Sequence, residues 1–401
     1  MRTRSAELMV AKRQTKKTTP KKKKAKKKST KKQAAKKQKG KKAEQAVPVG
    51  VLGTAKLYSV VRERISCGCT PLDAIMGGPT TVTEDGEVIP SPSDGTLATN
   101  WGVPVGRIIE VVGAYSTGKS TFCENLAAQV QRVGGEVCMG ITEYTLDPAR
   151  MARIGVDTHA VKYLEFEFIE DGYAWIKSLL GGKKHNKPML ITWDTIGASH
   201  SKDDRPGSGG RVVREGLREI TGLVAKHNAL MVFVNHVSAT FNQWDTEPAT
   251  PFGQGIRFHA SIRMEFRSAK KFLEAQAVQA GGQVYGESKA SYGVMPYAVA
   301  RKNKTFPPHR RTRIPVTFQG GFDDDFAMFE YLSQRASHIS VTAPGKEDAQ
   351  NLGKVITFRM PTPAACYWNT YRQFLIERTD VRAWMVDQCR RLAYNGFDPV
   401  G

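Results

Sequence analysis

The chain has 401 residues, with 60 Lys/Arg against 38 Asp/Glu and a formal net charge of +22. That is enough length for one large domain plus a smaller one. The excess charge is local, because residues 1–45 hold 20 Lys/Arg against only Glu7 and Glu44, and the rest of the chain is nearly neutral. No apolar run approaches the roughly 20 residues needed to cross a bilayer. Leu8-Met9-Val10 gives way at once to Lys12 and Arg13, so no secretory signal core is expected here and a cytoplasmic location is. The six cysteines (Cys67, Cys69, Cys123, Cys138, Cys366, Cys389) form no CxxC pair, and they read as reduced structural thiols rather than metal ligands.

From Lys12 to Lys42 the sequence is mostly Lys, Thr, Ser, Ala and Gln, without an aromatic. Such a segment cannot bury enough apolar surface to offset its ordering entropy, so residues 1–45 are predicted to be a disordered basic tail. Its charge suits phosphate binding by counterion release; a solubility tail or a targeting signal is the other reading. Residues 46–64 read as a linker that holds a short strand candidate at Leu57-Tyr58-Ser59-Val60-Val61. Ile65 to Asp73 reads as a turn and a short helix ending at Gly77-Gly78. Residues 79–100 are rich in Thr, Pro, Asp and Gly, and read as a surface insertion with a hairpin tip at Glu84-Asp85-Gly86-Glu87.

From Arg107 onward apolar strands alternate with helical patterns. Strands are predicted at 108–112, 137–142, 189–193, 230–235 and 262–266, and helices at 119–133, 147–154, 170–181 and 211–227. This alternation specifies an α/β fold with a mostly parallel central sheet and helices on both faces. β-rich sequence continues to about Phe322, which makes 65–324 the core. Residues 325–401 read as a small C-terminal α/β unit with helices at 367–376 and 380–394.

Gly113-Ala114-Tyr115-Ser116-Thr117-Gly118-Lys119-Ser120 matches G-x-x-x-x-G-K-[ST] in full, between a predicted strand and a predicted helix. In such a P-loop, backbone N–H groups of the loop and of the helix start, where Thr121 follows, cradle phosphates. Lys119 reaches the β/γ-phosphates and Ser120 ligates Mg²⁺. Met189-Leu190-Ile191-Thr192-Trp193-Asp194 is a buried strand ending in a carboxylate, a second candidate for holding the metal. Glu143 follows strand 137–142, where it either activates a water molecule or faces solvent.

These pieces share their order and spacing with a known family. Ile65-Ser66-Cys67-Gly68, Leu72-Asp73, Gly106-Arg107-Ile108-Ile109-Glu110, the P-loop, Glu143-Tyr144-Thr145-Leu146-Asp147-Pro148, Asp194, Phe233-Val234-Asn235-His236 and Arg301-Lys302-Asn303-Lys304 together resemble the RecA family of recombinases, over about residues 65 to 330. The resemblance implies ATP and Mg²⁺ as cofactors, with Glu143 as the carboxylate that activates water and Asp194 as the magnesium-associated acid. It implies that Asp147 lies near the adenine, with Arg150 where an aromatic usually stacks on the base, and that His236 senses the γ-phosphate. Lys302 and Lys304 would reach across a subunit interface to the neighbour's γ-phosphate; read from the residues alone, they are a solvated charge pair.

The resemblance also implies a DNA site. A first loop, Ser199–Gly210, includes Arg205 and Gly210, and the helix after it carries Arg211, Arg214 and Arg218 on one face. A solvated face partly paired with Glu215 and Glu219 is the other reading of those arginines. A second loop, Val237–Gly255, carries Phe241, Trp244, Phe252 and Gly253, with the aromatics either stacking on bases or anchoring the loop. Arg267 belongs to the same set, and Arg257 and Phe258 match a subunit contact that couples nucleotide to DNA.

Three departures stand out. His236 replaces a Gln of bacterial family members, which would make activation pH-dependent. The basic strand positions of the family's secondary DNA site fall on Tyr297 and Val299, leaving Lys270, Lys271, Arg301 or the basic tail to supply that contact. The family's N-terminal polymerisation helix has no counterpart in residues 46–64. The expected protein is a DNA-dependent ATPase that forms filaments of many copies on single-stranded DNA and pairs it with homologous duplex. The alternatives are a ring-shaped motor of the same fold and a non-catalytic DNA-coating protein.

Overall fold

The run Arg107–Gly113 forms strand β1, buried along all but its first residue. Apolar residues on both faces of such a strand demand cover on both sides, which places it in the middle of a sheet. The computed structural model describes residues 61, 63–82, 88–90, 100–182, 185–237, 249–273, 291–334, 337–342 and 354–395. The basic tail, the strand candidate from Leu57 to Val60, the hairpin tip from Glu84 to Glu87, Phe241 and Trp244 lie outside the described residues.

After β1 come strands β2 (Glu136–Ile141), β3 (Val161–Glu165), β4 (Met189–Asp194), β5 (Ala229–His236), β6 (Ile262–Leu273), β7 (Ser291–Asn303), β8 (Arg311–Arg313), β9 (Val316–Thr317) and β10 (Gly321–Phe322). They make one ten-stranded sheet in the order β10-β9-β7-β6-β1-β5-β4-β2-β3, with β8 also pairing with β7. The pairings from β6 through β1, β5, β4 and β2 to β3 are parallel, whereas β6–β7 and the pairings beyond it are antiparallel. Among the described residues the helices are α1 (Thr70–Met76), α2 (Lys119–Arg132), α3 (Pro148–Ile154), α4 (Ile169–Leu180), α5 (Ser208–Lys226), α6 (Gly253–His259), α7 (Asp324–Ser333), α8 (Tyr371–Glu377) and α9 (Thr379–Tyr394). Two buried clusters flank the sheet. One joins β1, β2 and β6 to α1, α2 and the C-terminal helices, and the other joins β4 and β5 to α4 and α5.

The mostly parallel α/β sheet read from the sequence is present, and its details differ in three places. Strand β3 was not anticipated: Lys162, Tyr163 and Glu165 are exposed at the sheet edge, so the run lacks the apolar continuity of a buried strand. Helix α5 starts at Ser208 and takes Ser208-Gly209-Gly210 out of the irregular loop expected there. A Cβ at Gly209 would approach the Phe252 ring to 2.8 Å, so packing, rather than helix propensity, puts a glycine in this first turn. The helix expected at 367–376 begins at Tyr371, because Ala364–Tyr367 is the last strand of a three-stranded antiparallel sheet with Ile339–Thr342 and Val355–Phe358. Strands Thr80–Val82 and Val88–Pro90 pair antiparallel, as a hairpin requires.

A charged pair lies in the middle of the sheet. Glu110 of β1 and Arg263 of β6 are register partners, and both side chains are 0% exposed. The Arg263 Nε donates to Glu110 Oε2 at 2.8 Å, and Asn235 Nδ2 of β5 donates to Glu110 Oε1 at 3.3 Å. A buried ion pair gains little net stability over apolar packing, but removing one partner leaves an uncompensated charge. Glu110→Ala should therefore cost about 3–5 kcal/mol in chemical denaturation. The joint change Glu110→Leu with Arg263→Met should cost much less, and equal losses from the two variants would refute this account.

Helix α1 is tied to the C-terminal helices by polar groups. Asp73 accepts hydrogen bonds from Cys67 N at 2.8 Å and from the Ser66 hydroxyl. Asp324, at the start of α7, accepts from Thr70 N and Thr70 Oγ1 and pairs with Arg382 of α9 at 2.9 Å. Burial pushes Asp73 up to about 7 against its hydrogen bonds, and pushes Asp324 up to about 6 against Arg382. Folding thus raises both carboxyl pKa values. The folded chain binds more protons than the unfolded chain from the ordinary value of 3.8 up to about 7, so this contribution falls as pH rises through that window. Denaturation midpoints at pH 5 and pH 7.5 should differ less in Asp73→Asn than in the unsubstituted chain. An undiminished difference would remove Asp73 as a source of it.

Candidate functional site

In a parallel sheet the strands end together, and side chains just past those ends converge on one edge. Gly113 of β1 pairs in register with His236 of β5, and Ile141 of β2 pairs with Asp194 of β4. The P-loop, Glu143, Asp194 and His236, spread over more than 120 residues of sequence, are brought to the same edge.

The P-loop closes tightly on itself. A Cβ at Gly113 would lie 2.4 Å from the Phe266 carbonyl oxygen, and Gly118 adopts a left-handed φ of 88° as the N-cap of α2. Both positions therefore require glycine. The Thr117 hydroxyl and the Lys119 ammonium donate to the Ala114 carbonyl at 2.9 and 2.8 Å. Lys119 is buried, which lowers its pKa, while the Asp194 and Glu143 carboxylates oppose that shift. Asp194 is pushed up by burial and drawn back by a hydrogen bond with Ser120. The residues fit a phosphate and its metal. The first-turn N–H groups of α2 lack intrahelical acceptors, and Ser120 and Asp194 bring hard oxygen donors together beside them.

Glu143 is held by residues from two neighbouring strand ends. Its Oε1 accepts from His236 Nε2 at 2.6 Å and from Thr195 Oγ1 at 2.9 Å. The His236 Nδ1 is buried without a hydrogen-bond partner, so the network assigns the proton to Nε2. Burial pushes the Glu143 carboxyl up, but the bonds from His236 and Thr195 and the charge of Lys119 outweigh it and hold it below the usual range. Thr142 and Thr195 lock the ends of β2 and β4 together. The Thr142 hydroxyl donates to Thr195 O at 2.7 Å and accepts from Thr195 N at 2.9 Å. Tyr115 of the P-loop lies over the His236 ring, with centroids 4.9 Å apart, so the imidazole touches both the loop and the carboxylate. Sequence reasoning gave no role to Thr142 or Thr195, and their only signal was position, one beside each acidic residue.

From the P-loop an open cleft of about 390 Å³ runs past Arg150 to Val294, Val316 and Phe318. Phe318 is 53% exposed, an aromatic that sequence reasoning passed over. Asp147 caps α3 by accepting from Arg150 N at 3.0 Å. Arg150 is drawn to Glu124 and Thr121 of α2.

The other expected site residues lie elsewhere. Lys302 and Lys304 donate to the carbonyls at the C-terminal end of α6, Lys302 to Arg257 and Phe258 and Lys304 to Phe258. Lys302 pairs in register with Arg263, whereas Gly113 pairs with Phe266, so the two lysines sit away from the P-loop edge of their own chain. Burial and the charge of Lys304 bring Lys302 down to about 8. Arg211, Arg214 and Arg218 are exposed along α5, whose first turn contains Gly210. Arg205 and Arg211 both pair with Asp203, at 2.7 and 3.2 Å, and Glu219 pairs with Lys177 of α4 at 2.8 Å. Phe252 is half-buried against the cluster of α4 and α5, and Gly253 begins α6. Arg267 is exposed and pairs with Glu265, which also takes Arg301.

Residues 73–179 and 189–323 match the RecA N-terminal domain family, more than half of the chain. Over 229 residues the chain is 29% identical to Protein RecA of Ruminococcus albus, covering 55% of this chain and 54% of that protein. It is 27% identical over 247 residues to Protein RecA of a Roseiflexus species, covering 59% and 65%. It is 28% identical over 260 residues to Protein RecA of Helicobacter hepaticus, covering 61% and 71%. The chain thus spans between about half and seven tenths of the length of these relatives. No helix among the described residues is long and apolar enough to cross a membrane. With a complete P-loop on a mostly parallel sheet, and a match over both halves of that sheet, the chain belongs to the RecA N-terminal domain family.

Proposed function

We propose that this protein is a DNA-dependent ATPase that polymerises on single-stranded DNA and promotes homologous pairing and strand exchange. The observation that carries the reading is the convergence of the P-loop, Glu143, Asp194 and His236 on one sheet edge, in a chain of this family. Lys119 and the first turn of α2 would hold the triphosphate, and Ser120 and Asp194 would hold Mg²⁺, which supplies charge neutralisation at the phosphates. Glu143, kept ionised by its donors, would orient and deprotonate the attacking water. His236, in contact with both Glu143 and the P-loop, would carry the state of the phosphate site into the residues after 237. Lys302 and Lys304, remote from their own P-loop, suit a role at the site of an adjacent copy. The exposed row Arg211, Arg214 and Arg218 suits phosphates of a single strand.

Phosphate release from ATP should rise when single-stranded DNA is added, and Lys119→Ala should reduce it to background in both conditions. No turnover by the unsubstituted chain, with or without DNA, would sink the enzyme reading. Electron microscopy with a non-hydrolysable ATP analogue should show helical filaments rather than closed rings.

The Glu143–His236 contact also sets a pH dependence. The bond from His236 lowers the Glu143 pKa, so the base form persists to lower pH than an ordinary carboxylate would allow. In His236→Ala that donor is lost, and the acidic limb of the pH profile for ATP hydrolysis should move to higher pH. His236→Gln keeps a donor and should leave the limb near its original place. An acidic limb that stays put in His236→Ala would contradict the assignment of Glu143 as the titrating base.

A further inference from the structure

Glu124 is a carboxylate in an unexpected place. It follows Ser120 by one turn of α2, its side chain is 7% exposed, and it lines a small cavity shared with Ser120 and Asp194. A buried negative charge beside a phosphate cradle opposes the binding that the cradle serves, so a compensating role must account for it. Burial pushes its carboxyl up to about 7, Arg150 draws it back, and Asp194 and Asp147 push it further.

What compensates is Arg150. Its Nη1 donates to Glu124 Oε1 at 3.3 Å, and its Nη2 lies 3.2 Å from Glu124 Oε2 and donates to the Thr121 hydroxyl. The backbone N–H of Arg150 is fixed as well, by Asp147 at the start of α3. With both ends held, the Arg150 side chain is still 25% exposed, and the residue lines the open cleft that begins at the P-loop. Phe318 lines the same cleft. A planar cation and an aromatic ring are the two side-chain types that stack well on a flat heterocycle. A free arginine would lose much of that contact to rotamer entropy, so a partner that fixes it contributes to affinity without touching the ligand.

We propose that Glu124 is a positioning residue for Arg150, and that Glu124 and Thr121 hold the guanidinium as the wall of the cleft on which a nucleobase stacks. The inference rests on the reading of the P-loop as a nucleoside triphosphate site, and it assigns to a buried acid of α2 part of the affinity for the base. Loss of a charge-assisted contact of this kind is worth about a tenfold change in affinity.

The test compares equilibrium binding of ATP with that of inorganic tripolyphosphate, both with Mg²⁺, to the full chain. Glu124→Ala should weaken ATP about tenfold while tripolyphosphate, which has no base, binds no more weakly than before. Arg150→Ala should give a similar loss, and the double variant should be no weaker than Arg150→Ala alone. Glu124→Gln, which keeps an oxygen acceptor for Arg150, should retain more ATP affinity than Glu124→Ala and guards against a simple folding defect. Undiminished ATP binding in Glu124→Ala, additive losses in the double variant, or an equal fall in tripolyphosphate binding would each overturn the proposal. If the unsubstituted chain binds neither compound, the nucleotide reading itself fails.

Discussion

The buried contact of Glu110 with Arg263 and Asn235 ties together the three strands on which the site depends. Glu110 belongs to the strand that runs into the P-loop, Asn235 immediately precedes His236, and Arg263 lies on the strand that closes the other side. Asn235 extends the network outward. Its side-chain oxygen accepts from His236 N at 3.0 Å, and its Nδ2 donates to Pro251 O at 2.9 Å, just before α6. An unpaired charge or amide at this depth is costly, so each group constrains the others. The network therefore fixes the relative heights of β1, β5 and β6, and with them the P-loop, His236 and the start of α6.

That register sets the candidate residues at two levels of the sheet. The carboxyl edge collects the P-loop, Glu143, Asp194 and His236, and the Thr142–Thr195 exchange of hydrogen bonds ties together the strand ends that carry Glu143 and Asp194. Lys302 and Lys304 lie toward the other end, against the terminal carbonyls of α6, where cations are favoured by the helix dipole. Helix α6 thus stands between the network around Asn235, which reaches Pro251, and the two lysines that donate to its last carbonyls.

The P-loop was legible in the sequence because its function is carried by the main chain, and only a few residue types allow the required backbone path. Asp194 was legible as a candidate only through its context, because strands often end in Asp and it is the P-loop upstream that singles this one out. Glu143 was visible as a candidate, but its state was not, since its donors come from Thr195 and His236, 52 and 93 positions away. Glu124 and Phe318 carried no signal at all. One reads as an ordinary polar residue in an amphipathic helix, and the other as an apolar residue in a strand-rich stretch. The irregular loop expected at Ser199–Gly210 failed at its end for a similar reason. Gly209 admits the Phe252 ring rather than breaking the helix, and Gly207 supplies the left-handed N-cap from which the helix starts.

By itself the sequence determined the alternation of strands and helices, the phosphate loop and the concentration of positive charge in the first 45 residues. These are local properties, set by apolar periodicity, glycine spacing and charge, and neighbouring residues suffice to express them. Only the tertiary structure decided which strands are neighbours, that β3 forms the edge, that Glu110 and Arg263 meet in the core, and that Arg150 is turned toward Glu124. Those facts depend on parallel pairing between segments far apart in the chain. Their energies come from burying charge and apolar area that no single segment can bury alone.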